Sequence, residues 1–221
     1  MKKNYKDIFM LVIVGVSLFS GSLHAQFLGG SRVKDDESGP KGRFLLYGSF
    51  NYSKTNTPSS SSSSLGTNGN AGIPIGLGYF INNNDLIGIN YAFARNAIDE
   101  QTTYKQNETG IWYSPSVNLG KHFVLAGQIE AHYVWGQKLS SVSANEDHFN
   151  GYRLRAYPLI IVLLGGGWAL SFKFAELSML QTKLRNEGWT KNYVGGMGGA
   201  TFGGGVSKSF DFRKKNKNND H

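Results

Sequence analysis

Between Phe123 and Gly136 the chain reads FVLAGQIEAHYVWG, and taking every second residue splits it into two unlike sets. Phe123, Leu125, Gly127, Ile129, Ala131, Tyr133 and Trp135 form an apolar row ending in aromatics, while Val124, Ala126, Gln128, Glu130, His132, Val134 and Gly136 carry the polar groups. Successive side chains of a strand point to opposite faces, so this stretch is a strand with one apolar and one mixed face. It exceeds the strand of about 5–6 residues usual in globular proteins and suits a tilted membrane crossing of about 9–11.

The same sorting recurs along the chain. A first strand over Arg43–Ser53 sets Phe44, Leu46, Gly48, Phe50 and Tyr52 against Leu45, Tyr47, Ser49 and Asn51. A second, Gly72–Ile81, and a third holding Ile87, Ile89, Tyr91 and Phe93 flank the turn Asn82–Asp85. The fourth sets Ile111, Tyr113, Pro115, Val117 and Leu119 against Gly110, Trp112, Ser114, Ser116 and Asn118, and Gly120–His122 turns into the fifth, the stretch above. The sixth sets Tyr152, Leu154, Ala156, Pro158 and Ile160 against Arg153, Arg155, Tyr157 and Leu159. After Gly165–Gly167 the seventh sets Trp168, Leu170, Phe172 and Phe174 against Ala169, Ser171, Lys173 and Ala175. An eighth, glycine-rich strand lies within Tyr193–Phe212, with Phe202, Val206 and Phe210 on one face and Lys208 interrupting it, placed to snorkel at a membrane boundary.

Short turns therefore alternate with long polar connections. The long ones are the serine run Ser59–Ser64, Arg95–Asn107, Gln137–Asn150 and Leu177–Lys191, the last with Leu177, Met179, Leu180 and Leu184 spaced for a helical turn. An even-numbered membrane barrel shows this alternation, with tight turns at one rim, mobile loops at the other, and both termini on the turn side. The fold class expected is all-β: an eight-stranded antiparallel up-and-down transmembrane β-barrel over residues 43–212.

A soluble barrel also alternates but exposes Lys, Glu and Thr, whereas the second face here is mostly Gly, Ala, Ser and Asn. Such small groups fit the lumen of an eight-stranded barrel, which side chains just fill. The aromatics sort by depth into two membrane girdles: Phe44, Tyr79, Phe123, Trp168 and Phe210 near the turns, and Tyr52, Phe93, Tyr133, Trp135, Tyr152 and Phe174 near the loops. Outer-membrane lipid and lipopolysaccharide are the surroundings this predicts.

The ends fit export. Lys2, Lys3 and Lys6 precede the apolar run Ile8–Phe19 and the small-residue site ending at Ala25, the pattern of a cleavable signal peptide over residues 1–25. Removing its three Lys and Asp7 leaves +6 of the formal +8. Much of that excess lies in the basic tail, 213–221, read as solvated and periplasmic like the flexible leader 26–42; no nucleic-acid partner is implied. Cys is absent, so disulfides, thiol chemistry and thiolate metal sites are excluded.

Several segments resemble outer-membrane β-barrel domain proteins of the porin-family or OmpX/OmpA-like type, especially the short glycine-rich members found in Bacteroidetes. They are Gly76–Ile81 with Leu86–Ile89, Tyr113–Val117, and the last strand into Ser209–Phe210. The resemblance implies the barrel and the outer membrane. A basic tail beyond the terminal aromatics departs from it, so Phe210 or Phe212 would serve barrel assembly from an internal position.

Five ionisable residues face inward on three consecutive strands: Glu130, His132, Arg153, Arg155 and Lys173. A buried carboxylate needs a partner, so Glu130 is expected to pair with Arg155 or Arg153 across the hairpin. The cluster reads as a polar plug, with an ion-selective constriction as the alternative. His132 has no Ser placed against it for nucleophilic catalysis, and Glu146-Asp147-His148 lacks metal-ligand spacing, so neither enzyme, cofactor nor metal is expected. The role expected is structural or interactive, with an extracellular or membrane-protein partner meeting the loops. A narrow porin-like channel is the alternative, followed by a lipid-modifying enzyme or an accessory part of a secretion or uptake complex.

Overall fold

The computed structural model describes residues 39–50, 52–57, 60–65, 73–97, 102–140, 147–184, 188–197 and 203–213. Its strands are β1 (Phe44–Phe50), β2 (Tyr52–Thr57), β3 (Ser60–Leu65), β4 (Ile73–Phe80), β5 (Asp85–Ala97), β6 (Thr102–Asn118), β7 (Phe123–Ser140), β8 (Asp147–Gly165), β9 (Trp168–Lys173), β10 (Ala175–Leu184), β11 (Trp189–Met197) and β12 (Gly203–Phe210). The pairs β1 with β2, β3 with β4, β9 with β10 and β11 with β12 each make one stave, so the twelve segments form eight. Every stave pairs antiparallel with its sequence neighbour, and β12 returns to β1 from Phe44↔Phe210 to Phe50↔Gly204, closing the barrel. None of the described residues is helical.

The barrel is polar inside and apolar outside. Among the described residues, 15 buried side chains are polar or charged and only 11 are hydrophobic, while Ile75, Leu77, Ile89, Ile111 and Val206 are exposed. A water-soluble fold would show the reverse, so the outward belt is a lipid-facing surface. At the turn rim Phe44 lies between Tyr79 and Phe210 in the sheet, with its ring 5.2 Å from that of Tyr79 and 6.0 Å from that of Phe212. At the loop rim Tyr133 stacks on Trp135 and meets Tyr152 edge-on, both at 5.8 Å. From that row on the outward positions turn polar, with Thr109 and Asn107 opposite Tyr133 and Trp135, Lys105 one step beyond, and Lys183 and Lys191 on β10 and β11. The side chain of Tyr52, and Phe202, lie outside the described residues.

The staves outrun the belt, and this corrects the long loops read from the sequence. β5 continues to Ala97 and β6 begins at Thr102, β7 and β8 extend to Ser140 and from Asp147, and Ser60–Leu65 pairs with β2 and β5. At about 3.3 Å per residue the 19 residues of β8 span roughly 60 Å, well beyond an apolar band of about 25 Å even when tilted. These extensions carry no apolar row, because no lipid covers them there, so the alternation that marks the crossings fades while the backbone pairing goes on.

The largest correction falls on Leu177–Lys191. In place of a helical turn, β10 pairs with β8 and β11, and only 185–188 separate it from Trp189. Opposite β8 the register passes from Lys173↔Leu159 to Leu177↔Ala156, four residues on one stave against three on the other. That is a β-bulge at Phe174–Ala175. Phe174 sits half-buried at the break, and the alternation of β10 is shifted relative to β9.

The turn rim is tied down on both sides of the seam. The leader residue Lys41 donates its N–H to Asn83 Oδ1 at 2.9 Å, and Gly42 N–H bonds Phe80 O at 2.9 Å. Asp211 meets Arg43 Nε at 3.2 Å and Arg213 Nη2 at 2.6 Å, and Arg213 Nη1 donates to Lys41 O. Residues 39–42 thus belong to the barrel's edge. The 8–9 turn has Gly166 and Gly167 at φ 56° and 84°, which a tight hairpin turn with both central residues at positive φ requires. Lys208, outward between Leu46 and Trp168, bends to the carbonyl of Gly166 with its Nζ 5.0 Å from the Trp168 ring centre.

Candidate functional site

Inward positions at mid-height converge on one network. Glu130 and Arg155 are direct cross-strand partners on β7 and β8, as are His132 and Arg153. Arg155 Nε lies 3.0 Å from Glu130 Oε2. The other Glu130 oxygen accepts from Tyr157 OH at 2.6 Å, Gln128 Nε2 at 2.7 Å and Asn90 Nδ2 at 3.3 Å. Asn90 also donates to Tyr47 OH at 3.0 Å, which carries the network to β1.

A second carboxylate, Glu108 on β6, holds the upper layer. Its Oε1 meets Arg153 Nη2 at 3.2 Å and accepts from Gln106 Nε2 at 2.6 Å; its Oε2 meets Arg155 Nη2 at 3.3 Å and His132 Nδ1 at 3.0 Å. His132 Nδ1 is also 2.9 Å from Arg155 Nη2. One ring nitrogen either donates to the carboxylate or accepts from the guanidinium, so the imidazole tautomer selects which of the two contacts forms. On the far side Lys173 is paired with Glu176 and lies 5.4 Å from the Tyr157 ring centre. Residues three apart on a regular strand face opposite ways; the bulge at Phe174–Ala175 brings these two to one face.

The structure thus brings Glu130, His132, Arg153, Arg155 and Lys173 into the lumen, all of them buried. Sequence reasoning missed Glu108 and Glu176. With His132 counted as neutral, the seven-residue set has three carboxylates against three cations and no net charge. Glu108 was detectable, since continuing the alternation of β6 two residues beyond Gly110 turns it inward. Alternation could not place Glu176, because the bulge reverses the phase.

Below the network Trp112 and Tyr47 fill the lumen edge to face, ring centres 5.5 Å apart, with Trp112 Nε1 donating to Ile89 O at 3.3 Å. The glycines opposite them are required. A Cβ on Gly76 would lie 2.2 Å from the Tyr47 ring, and one on Gly78 2.7 Å from that of Trp112. Between this layer and the turn rim lies a cavity of about 420 Å³. No grouping of side chains suited to a metal ion occurs among the described residues.

No protein-family profile and no curated protein matches the chain. Among solved structures it is similar to Neisserial surface protein A, at 12% identity over 77% of this chain and 98% of that one, with a TM-score of 0.50. It is also similar to the N-terminal β-barrel domain of Pseudomonas aeruginosa OprF, at 12% identity, 77% and 98% coverage and a TM-score of 0.45. The attachment invasion locus protein Ail of Yersinia pestis matches at 12%, 77%, 99% and 0.40. The first likeness shows the fold, that of the eight-stranded outer-membrane barrels, and nothing of ligand or role.

Proposed function

We propose that the chain is an integral outer-membrane barrel of the OmpA/OmpX-like kind, sealed across its lumen, that works through its loop-side hairpins and neither transports nor catalyses. The observation that carries the seal is the charge-balanced network from Glu176 through Lys173, Tyr157, Glu130 and Arg155 to Glu108. Every charge in it faces an opposite charge, so an ion entering would have to displace a buried partner, which is unfavourable in a low-dielectric interior. His132 contacts Glu108, Glu130 and Arg155, which is a structural setting rather than that of a base beside a nucleophile. The two aromatic rows serve as interfacial anchors, and the paired hairpins projecting beyond them are the surface offered to lipopolysaccharide and to an extracellular or membrane-protein partner. The turn rim, where residues 39 and 213 lie, faces the periplasm.

Reconstitution in planar bilayers tests this. The wild-type barrel is expected to show no steady conductance. Stable conductance that vanishes in Glu130→Gln or Arg155→Met would make the cluster a selective constriction and overturn the plug. Co-purification from detergent-solubilised membranes, with and without the loop-side hairpins, tests the interactive role.

A further inference from the structure

The cavity below the plug has a feature that neither the membrane nor the seal accounts for. Leu159, Ile161 and Leu163 on β8 point inward, opposite Lys173, Ser171 and Ala169 across the β8–β9 ladder, and all three line the cavity. Leu163 is 38% exposed although it turns away from lipid. Aliphatic surface left in water is unfavourable, and an eight-stranded lumen could hold larger side chains against this strip. The adjoining wall does not supply them. Below Lys173, β9 and β12 contribute small inward groups there, among them Ala169, Ser171, Ser207 and Ser209.

The space has the dimensions and make-up of a ligand site. Its volume of about 420 Å³ falls in the range of small-molecule pockets, roughly 300–1,000 Å³, which combine an apolar lining with a few placed polar groups. The ceiling settles the ligand's charge. Arg155 and Lys173 line it, but both are engaged, with Glu130 and Glu108 and with Glu176, and Arg43 at the mouth is paired with Asp211, so an anion or cation would have to compete with an existing ion pair. What remains for recognition is an apolar lining, the Leu159–Ile161–Leu163 strip with Leu45, Phe80 and Leu86, and the hydroxyls of β9 and β12 beside that strip. The mouth opens at the turn rim, between Pro40 and Asn83 on one side and the Gly165–Gly167 turn on the other.

We propose that the turn-side half of the lumen binds an uncharged, largely apolar small molecule bearing a hydroxyl, its apolar face on Leu159, Ile161 and Leu163 and its hydroxyl on Ser171 or Ser207. The molecule enters from the turn side and stops at the Glu130–Arg155 ceiling.

The test uses the full barrel in lipid nanodiscs with methyl-labelled Ile and Leu, titrated with 1-naphthol and, separately, with 1-naphthalenesulfonate. Naphthol is expected to shift the Ile161 and Leu163 methyl resonances saturably, leaving those of the lipid-facing Ile89 and Ile111 to drift without saturation. Ser171→Leu, which fills the pocket, should weaken this binding by about tenfold or more, the scale of a steric change in an apolar pocket. Ser207→Val gives the same reading if the first variant does not fold, with folding judged by gel mobility before and after boiling. Equal, unsaturable shifts at inward and outward methyls would mean partition into lipid only and would overturn the site. So would unchanged affinity in a folded filled variant. Tighter binding of the sulfonate would overturn the uncharged class.

Discussion

Glu108→Gln keeps the size of the side chain and removes one charge from a position that is 1% exposed. In the wild type this carboxylate faces Arg153 at 3.2 Å, Arg155 at 3.3 Å and His132 at 3.0 Å. After the substitution Glu130 and Glu176 face Arg153, Arg155 and Lys173, and the lumen cluster carries an uncompensated positive charge. Breaking a buried pair from one side destabilises by about 3–5 kcal/mol, against about 0–1 for an exposed pair. The higher range is expected, because both guanidiniums and the His132 ring contact this buried carboxylate. Adding Arg153→Met restores neutrality, so the double variant should be more stable than the sum of the singles by about 1–3 kcal/mol, the coupling of neighbouring groups. Urea unfolding from lipid vesicles, followed by tryptophan fluorescence and gel mobility, measures both. A loss below about 1 kcal/mol for Glu108→Gln, with additive behaviour in the double variant, would show the cluster to be screened by water and would refute the seal.

Gly151→Ala places a Cβ 1.9 Å from Gln181 O and 2.8 Å from Thr182 Cα, both backbone, so β8 and β10 must separate; a loss of about 1–3 kcal/mol is expected in the same assay. Gly203→Ala, whose nearest neighbour is the flexible Lys173 Cε at 3.5 Å, should be close to neutral. Asp211 is held below its ordinary range by the Arg213 and Arg43 guanidiniums, a depressed folded value. Its contribution is therefore fully present above the unfolded value of about 3.9 and is lost as pH falls through the folded one. Asp211→Asn should lower stability at pH 7 and flatten the acid limb below about pH 4, so that the two stability–pH curves converge toward low pH; an unaltered acid limb would exclude the seam clamp. Lys208→Met should change stability by less than about 1 kcal/mol, since a lipid-facing lysine near the interface is nearly neutral.

The crossings were legible in the sequence because two solvents act on them at once. From Phe123 to Trp135 lipid selects every second residue and the narrow lumen selects the others, so both faces of β7 leave a signature. Beyond the aromatic rows only one solvent acts. Lys105 and Lys138 are polar as loop residues would be, and nothing in their character reveals that they pair with Gln137 and Asp147. The serine run of β3 is a further case, since its pairing with β2 leaves no apolar trace to read. Hairpin extensions are thus under-read wherever a membrane barrel stands clear of its bilayer.

The lumen cluster could have been completed by electrostatics where periodicity stopped. Glu130 with Arg153, Arg155 and Lys173 makes one carboxylate against three cations, an excess of two positive charges in a space that water barely enters. No stable interior carries that excess, so two further carboxylates had to lie within reach. Glu108 and Glu176 are those two. Both lie just outside the strand limits that apolar alternation suggested, one on the continuation of β6 and the other past a bulge. That bulge adds one residue to the stave and turns Glu176 inward beside Lys173. Without the bulge, regular alternation from Lys173 would turn Glu176 to lipid and strand Lys173. The charge count of the lumen therefore fixes the register of β10 more firmly than its side-chain pattern does.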